Sequence, residues 1–562
     1  MTDQFPRKKK LHILHKTANF PCMCKALLIS IVIPTFAIVL SACKGDSPID
    51  RYTQKKILVL GNSAEPQGLD PQIVTGVPEN NIIRSIFEGL CVEHPSKEGV
   101  HMPGAAASWD SSDDFTEWTF HLQPNGQWSD GTPLTADDFL FSFQRMLHPN
   151  FGAEYASMLY YIEGAEAYNK GQAEDFSHVG VSAPDPYTLN IRLKAPTPFL
   201  PELTKHYSWF PVPKHIILKH GTIDQRNTPW TEPEHIASNG AFTLKTWRFN
   251  DYIAVEKNPR YWDHATVKLN GIRFLPISNQ YTEARMFFNQ QLHTTYSLAP
   301  EMIEYASNQY QPYLRQETYL GTSFIRFNVT DPKLMDLKVR QALALSIDSQ
   351  AIIDHVLKGG QTPAYGIVPP TADYHTPKVV TFDPERARKL LAEAGYGNSK
   401  KLRLTLLSTD KEVSKRISEA YQDMWKKHLG AEVSIEQREW KTYLARMAEL
   451  DYQLVISGWI GDYPDPTTFL EMWKKGDGNN RTGWSNEAYE ALLAQAEQIK
   501  DPAQRLRTLE KAEALFLSEM PIIPIYWYTS NYLLHTSVKG WHPLLLNNHP
   551  YKFVDLVQPT QP

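Results

Sequence analysis

The segment YQLVISGWIGDYPDP, residues 452–466, holds an apolar run that stops at a Gly-Trp pair, with an aspartate and a Pro-rich turn directly behind it. Leu454, Val455 and Ile456 read as a buried strand. Two more strands lie upstream, LRLTLLST (402–409) and AEVSIEQ (431–437). Between them a helical pattern sets Val413, Ile417, Tyr421 and Met424 on one face and stops at Gly430. Before them Asp383 and Pro384 open a helix with Ala387, Leu390, Leu391 and Ala394 inward and Gly395 as its end. Strand, helix and strand at this spacing imply crossover connections, mainly parallel pairing and an α/β fold. Ligands of such sheets bind beyond the carboxyl ends of the strands, and Asp462 lies just past one. Two readings of Asp462 stand here: a turn residue, or a fixed negative charge that waits for a positive one. Asp465 reads as a plain turn residue.

The N-terminal half is patterned less sharply. KKILVLGN (55–62) is a strand, and GVPENNIIRSIFEGL (76–90) a helix with Ile82, Ile83, Ile86 and Phe87 on one face and Gly89 as its stop. EWTFHL (117–122) alternates Trp118, Phe120 and Leu122 with polar neighbours, a half-buried strand. Thr135 and Asp138 form a capping box for a helix that turns Phe139, Phe143, Met146 and Leu147 inward. Near the C-terminus Asp501 and Pro502 open a helix to about Ser518, followed by IIPIYWY (522–528).

The first residues are a targeting segment. Basic residues (Arg7, Lys8, Lys9, Lys10, Lys16, Lys25) lead into ALLISIVIPTFAIVL (26–40), shorter than the roughly 20 residues of a membrane span. Leu40-Ser41-Ala42-Cys43 resembles the bacterial lipobox, which makes 1–42 a lipoprotein signal peptide, Cys43 the lipidated residue and 43–53 a Ser/Asp linker. Cleavage there removes six of 57 Lys/Arg and one of 62 Asp/Glu, leaving a formal charge of −10 and no basic block for nucleic acid. Of the two remaining cysteines, a lipidated Cys43 cannot pair, and Cys91 sits in an apolar context typical of a core. A mature chain of about 520 residues exceeds what one core supports, so two or more domains are expected. The sequence carries no H-E-x-x-H, no G-x-S-x-G and no phosphate-binding G-x-x-x-x-G-K-[ST], and its histidines lack ligand spacing. The expectation is a protein that is not an enzyme, with no metal and no cofactor.

Eight segments then stand in one order over residues 55–555: GLDPQ (68–72), GVPENNIIRSIFEGL (76–90), WTFHLQPNGQWSDGTPLTADDFLFSFQRML (118–147), SNGAFTL (238–244), EKNPRYWD (256–263), VRQALALSID (339–348), DPERARKLLAEAGY (383–396) and GDYPDPTTFL (461–470). Together they resemble the large extracytoplasmic solute-binding proteins of ABC importers, the peptide/nickel-binding group, and within it the oligopeptide-binding proteins. The resemblance implies a two-lobed periplasmic-binding-protein-like fold, type II with an extra domain, and a ligand cleft between the lobes. Lobe I would be 54–87, 212–320 and 526–562, the extra domain 88–211 and lobe II 321–525. It further implies a peptide held extended between Thr75-Gly76-Val77 and Gly458-Trp459-Ile460, with main-chain bonds that ignore its sequence.

By the same resemblance Asp462 receives the peptide's α-ammonium, which closure strips of water and which then needs an opposite charge. Trp459 and Tyr528 would line side-chain pockets, Asn479 and Asn480 would bond peptide or bridging water, and Tyr155 would face the ligand. Core packing is the plainer reading of the aromatic residues, and a solvated loop that of the asparagines. The chain also departs from the family pattern: Thr75 stands where some members carry glutamate, and Ile456 where some carry arginine. No base stands at Met447, although Arg446 is adjacent, and Gly321 and Ile460 together replace a cysteine pair. The implied protein is a monomeric, lipid-anchored receptor of the periplasm or cell envelope. Its partners are a peptide, an ABC permease with its ATPase, and the membrane through Cys43. Murein peptide, a dipeptide or a nickel complex is the alternative cargo.

Overall fold

Three sheets carry the architecture. The computed structural model describes residues 46–562 except 174, 371–372, 398, 500 and 559–562, so the signal segment and Cys43 lie outside the described residues. In the first sheet Ile57–Gly61 runs parallel to Gly271–Leu275, which is antiparallel to Tyr252–Lys257, itself antiparallel to Phe242–Arg248. A second, wholly antiparallel sheet is ordered Ala106–Ser111, Glu117–Leu122, Thr188–Arg192, Val181–Asp185. Its strand Glu117–Leu122 buries Trp118, Phe120 and Leu122, the alternation read from sequence. The third sheet runs Thr362–Pro363, Ile522–Leu533, Leu314–Phe327, Leu454–Ile460, Arg403–Thr409, Glu432–Arg438.

The expectation of mainly parallel pairing fails in that third sheet. Only the two pairings of Arg403–Thr409 are parallel. Leu314–Phe327 and Ile522–Leu533 insert antiparallel beside Leu454–Ile460. They are long because they serve two cores. Leu533 packs with Val59 and Phe287 beside the first sheet, whereas Ile523 and Ile525 pack with Tyr421 and Trp425 against the third. Between these ends the ladder breaks: Thr318 faces Thr529, Thr322 faces Trp527, and Tyr319, Leu320 and Gly321 bulge opposite Tyr528.

The helices follow local chemistry closely. Thr135 and Asp138 form the capping box of Ala136–Leu147, whose Phe139, Phe143, Met146 and Leu147 are fully buried. Asp383 caps Pro384–Glu393, and Gly430 ends Glu412–Leu429 at a φ of 66°. On that last helix Trp425 takes the core position expected of Met424. The stretch read as a linker, 43–53, is corrected within its described part: Ser47 and Asp50 cap a helix, Pro48–Gln54, that buries Ile49 and Thr53. The GLDPQ segment is explained by burial. Asp70 receives two hydrogen bonds from the fully buried Arg145 at 3.1 and 2.7 Å, and one from Trp230 at 3.2 Å.

Candidate functional site

The strand Leu454–Ile460 leaves one of its neighbours halfway. Its pairing with Arg403–Thr409 ends at Leu407–Val455, while pairing with Leu314–Phe327 continues to Ile460. Gly461 donates to Leu320 O at 2.8 Å, so by strand alternation residues 456, 458 and 460 turn their amides and carbonyls to the other edge. Tyr443 Oη donates to Ile456 O at 2.6 Å, and beyond it that edge is unpaired among the described residues. Gly458 is required where it stands, because a Cβ there would lie 2.3 Å from Tyr528 Oη. Gly321 makes room in the same way for Ile460, directly opposite it in register.

A second segment expected at the cleft is Thr75-Gly76-Val77. Gly76 is extended, Thr75 before it belongs to no helix or sheet, and Val77 begins the helix Val77–Ile86. A Cβ on Gly76 would lie 3.3 Å from the Trp440 ring, so the third sheet's side of the cleft reaches this backbone. Lys411 reaches over in the same sense, its Nζ 5.7 Å from the Tyr296 ring centre, and it makes no ion pair among the described residues. Glu79, fully buried behind Gly76, accepts from Gln67 N at 2.7 Å through one oxygen while the other lacks a partner. Burial raises its carboxyl to about 7. Trp440 Nε1 and Trp459 Nε1 are likewise buried without acceptors.

Asp462 lies two residues past the open edge, 10 % exposed. Tyr155 Oη donates to its Oδ1 at 3.2 Å, and His206 Nε2 stands 3.2 Å from the same oxygen. Thr468 Oγ1 donates to Oδ2 at 3.2 Å and accepts from Asp462 N at 2.8 Å. His206 Nδ1 accepts from Ser208 N at 3.3 Å, which leaves the ring proton on Nε2 and aims it at Asp462. Burial, followed by the charge of Asp462, pushes the Tyr155 phenol well above its ordinary range, so it stays a neutral donor. The site is thus a carboxylate held by hydroxyls and an imidazole, with no Lys or Arg bound to it among the described residues.

The remaining candidates separate. Trp459 lies in this cluster, 6.1 Å from Tyr155 between ring centres, and Tyr528 packs on Gly458. Asn479 and Asn480 instead belong to a loop that meets residues 154–157. Asn479 Nδ2 reaches Glu154 O at 3.5 Å, Arg481 pairs with Glu154, and Ser157 bonds Asp477 at 2.5 Å. Asn480 spends its Nδ2 on the carbonyls of Trp473, Lys474 and Trp484, which makes it a loop builder. Asp465 is more than a turn residue, because Arg505 grips it with bonds of 2.7 and 2.9 Å. Met447 is buried in a small core with Leu407 and Tyr443, and Arg446 is engaged by Glu436 and Asp451. His206 escaped the sequence reading, since no local pattern marks it. Cys91 is fully buried, its thiol pushed up to about 12 by burial.

The chain is similar to known proteins over most of its length. Residues 101–481 match the profile described as bacterial extracellular solute-binding proteins, family 5 middle. The chain is 34% identical over 528 residues to the periplasmic oligopeptide-binding protein OppA of Salmonella typhimurium, covering 92% of this chain and 95% of that one. Haemophilus influenzae OppA in complex with RPPGFSPFR superposes with a TM-score of 0.85 at 31% identity, over 90% of this chain and 99% of that one. The Escherichia coli murein tripeptide-binding protein MppA, 33% identical, superposes at 0.84 over 89% and 98% of the two chains. Its unliganded open form superposes at only 0.60, over 90% and 98%.

Proposed function

The chain belongs to the bacterial extracellular solute-binding proteins, family 5, and we propose that it captures oligopeptides in extended form and delivers them to the permease of an ABC importer. The observation that carries this reading is the unpaired edge of residues 456–460 leading to Asp462, with the Gly76 backbone brought close to Trp440. A peptide strand added to that edge gains main-chain bonds irrespective of its side chains. Its terminal ammonium then meets a carboxylate held by two hydroxyls and an imidazole, with no Lys or Arg paired to it among the described residues. The orphaned Trp459 Nε1 beside that edge supports the same placement, since buried polar atoms call for partners. Asp462, Gly458, Trp459, Ile460, Thr75, Val77 and Tyr528 are the residues we assign to the cleft; Asn479 and Asn480 act behind it.

We assign 54–87, 212–320 and 526–562 to lobe I with the first sheet, 321–525 to lobe II with most of the third, and 88–211 to the extra domain with the antiparallel one; the long strands Leu314–Phe327 and Ile522–Leu533 of the third sheet cross from one lobe to the other. The protein works outside the cytoplasm, held to the membrane by lipid on Cys43, as a monomer that binds stoichiometrically and turns nothing over. The test is mass spectrometry of ligand released by denaturing the purified protein, paired with Asp462→Ala. Short peptides with free N-termini, lost in the variant, are the expected result. A single non-peptide species, or peptides retained equally by the variant, overturns the assignment.

A further inference from the structure

A cavity of about 660 Å³ lies on the far side of the 464–466 turn, and none of the cleft residues lines it. It is of the size that small-molecule sites have, roughly 300–1,000 Å³. Its walls come from three places. Phe115 and Phe199 belong to the region of the antiparallel sheet, Phe469 and Leu506 to that of the third sheet, and Leu320 to the bulge between the two long strands. The lining is apolar, yet its charged members are one-sided. Arg505, the lining cation, is neutralised by Asp465, and Glu497 pairs with Lys194 at 2.8 Å. Asp113, Asp114 and Asp373 remain, and Asp113 and Asp373 have no ion-pair partner among the described residues.

Phe115 marks the place where a ligand would be read. It sits at the tip of the hairpin between Ala106–Ser111 and Glu117–Leu122, with a φ of 58°, a conformation costly for a bulky side chain. Three hydrogen bonds hold it there: Phe115 N to Ser112 O at 3.0 Å, Thr197 N to Phe115 O at 3.2 Å and Trp118 Nε1 to Phe115 O at 3.2 Å. Phe115 is 39 % exposed and lines the cavity together with its chain neighbours Asp113 and Asp114. One of these, Asp114, is kept ionised by the hydroxyls of Ser112 and Thr116, which hold its carboxyl at about 2. An aromatic face flanked by carboxylates is the chemistry that recognises an organic cation. Arg505 already lies over Phe199 at 5.7 Å, so a second wall shows the same preference.

We propose that this interdomain cavity binds an apolar organic cation, a quaternary ammonium or phosphonium compound, with its charge between Phe115 and Asp113–Asp114 and its apolar body against Phe199, Leu320 and Leu506. Because the walls belong to different parts of the chain, an occupant favours the arrangement that brings them together.

Calorimetric titration of the purified protein with tetraphenylphosphonium tests this, with the equally shaped anion tetraphenylborate as control. The expected result is one cation bound per chain and no saturable binding of the anion. Phe115→Ala should weaken the cation about tenfold. Asp113→Asn, on an exposed turn, should weaken it severalfold and flatten its salt dependence. Leu506→Trp, which fills the cavity, should abolish it. Equal binding of both ions, cation binding indifferent to Phe115→Ala and Asp113→Asn, or no binding at about 1 mM overturns the proposal.

Discussion

Asp462 is surrounded by donors of unequal weight, and they predict graded effects. Removing its charge in Asp462→Asn leaves a buried ammonium uncompensated, a loss of about 3 kcal/mol or more, so affinity for a free-N-terminus peptide should fall at least about 100-fold. Tyr155→Phe removes one neutral hydrogen bond and should cost only severalfold. With an N-acetylated peptide both variants should bind like the parent protein; calorimetry on the three proteins reads the difference. Gly458 offers a second test. Gly458→Ala drives a Cβ into Tyr528 Oη and should destabilise by about 1–3 kcal/mol in urea unfolding, and adding Tyr528→Phe should recover most of that. At this scale Asp462 was legible because a strand end beside a Pro-rich turn is a position with chemical meaning. His206 was not: it lies 256 positions before Asp462 in the chain, and a lone histidine in TKHYSWFP carries no local signal.

The elements were legible where capping and periodicity agree, as at Thr135–Asp138 and Asp383–Pro384. They were missed where one element serves two environments. LRQETYLGTSFIRF, 314–327, opens polar and ends apolar because its first half edges one lobe and its second half crosses the core of the other. No single period describes it. The helix Pro48–Gln54 did carry a capping box and a proline at its start, but its polar composition reads as linker. The elements also make a pH prediction. Glu283, on Gln280–Phe288, is buried against Gly61, and burial raises its carboxyl to about 8. The folded state therefore holds a proton that the unfolded chain releases near its ordinary pKa of 4.5. Its stabilising contribution is complete below that value and is lost as pH climbs through about 8. Melting temperature should fall between about pH 5 and pH 9, and Glu283→Gln should flatten that fall, worth on the order of a few kcal/mol.

Across the whole molecule the lobes are shut. Trp440 lies against Gly76, Lys411 over Tyr296, and Arg416 Nη2 donates to Tyr281 Oη at 2.9 Å. The likeness to MppA drops from 0.84 to 0.60 when that protein is unliganded and open. In this arrangement the 477–481 loop sits on residues 154–157, with Gly478 close against Glu154. A Cβ there would lie 2.6 Å from Glu154 Cα and 2.7 Å from its carbonyl oxygen, backbone atoms that cannot rotate away. At 319–321 the pairing of Leu314–Phe327 with Ile522–Leu533 is interrupted, while the ends on either side stay within separate cores. A ligand touching both lobes shifts such an equilibrium by its differential affinity alone. Gly478→Val should therefore spare folding, because it leaves each core intact, and penalise only the shut state. Peptide affinity should fall by about tenfold for each ~1.4 kcal/mol that the clash adds to closure. Small-angle scattering should show the parent protein contracting on peptide addition, with the variant staying expanded until far more peptide is present. Contraction of the variant at the parent's peptide concentration would place closure elsewhere than at this loop.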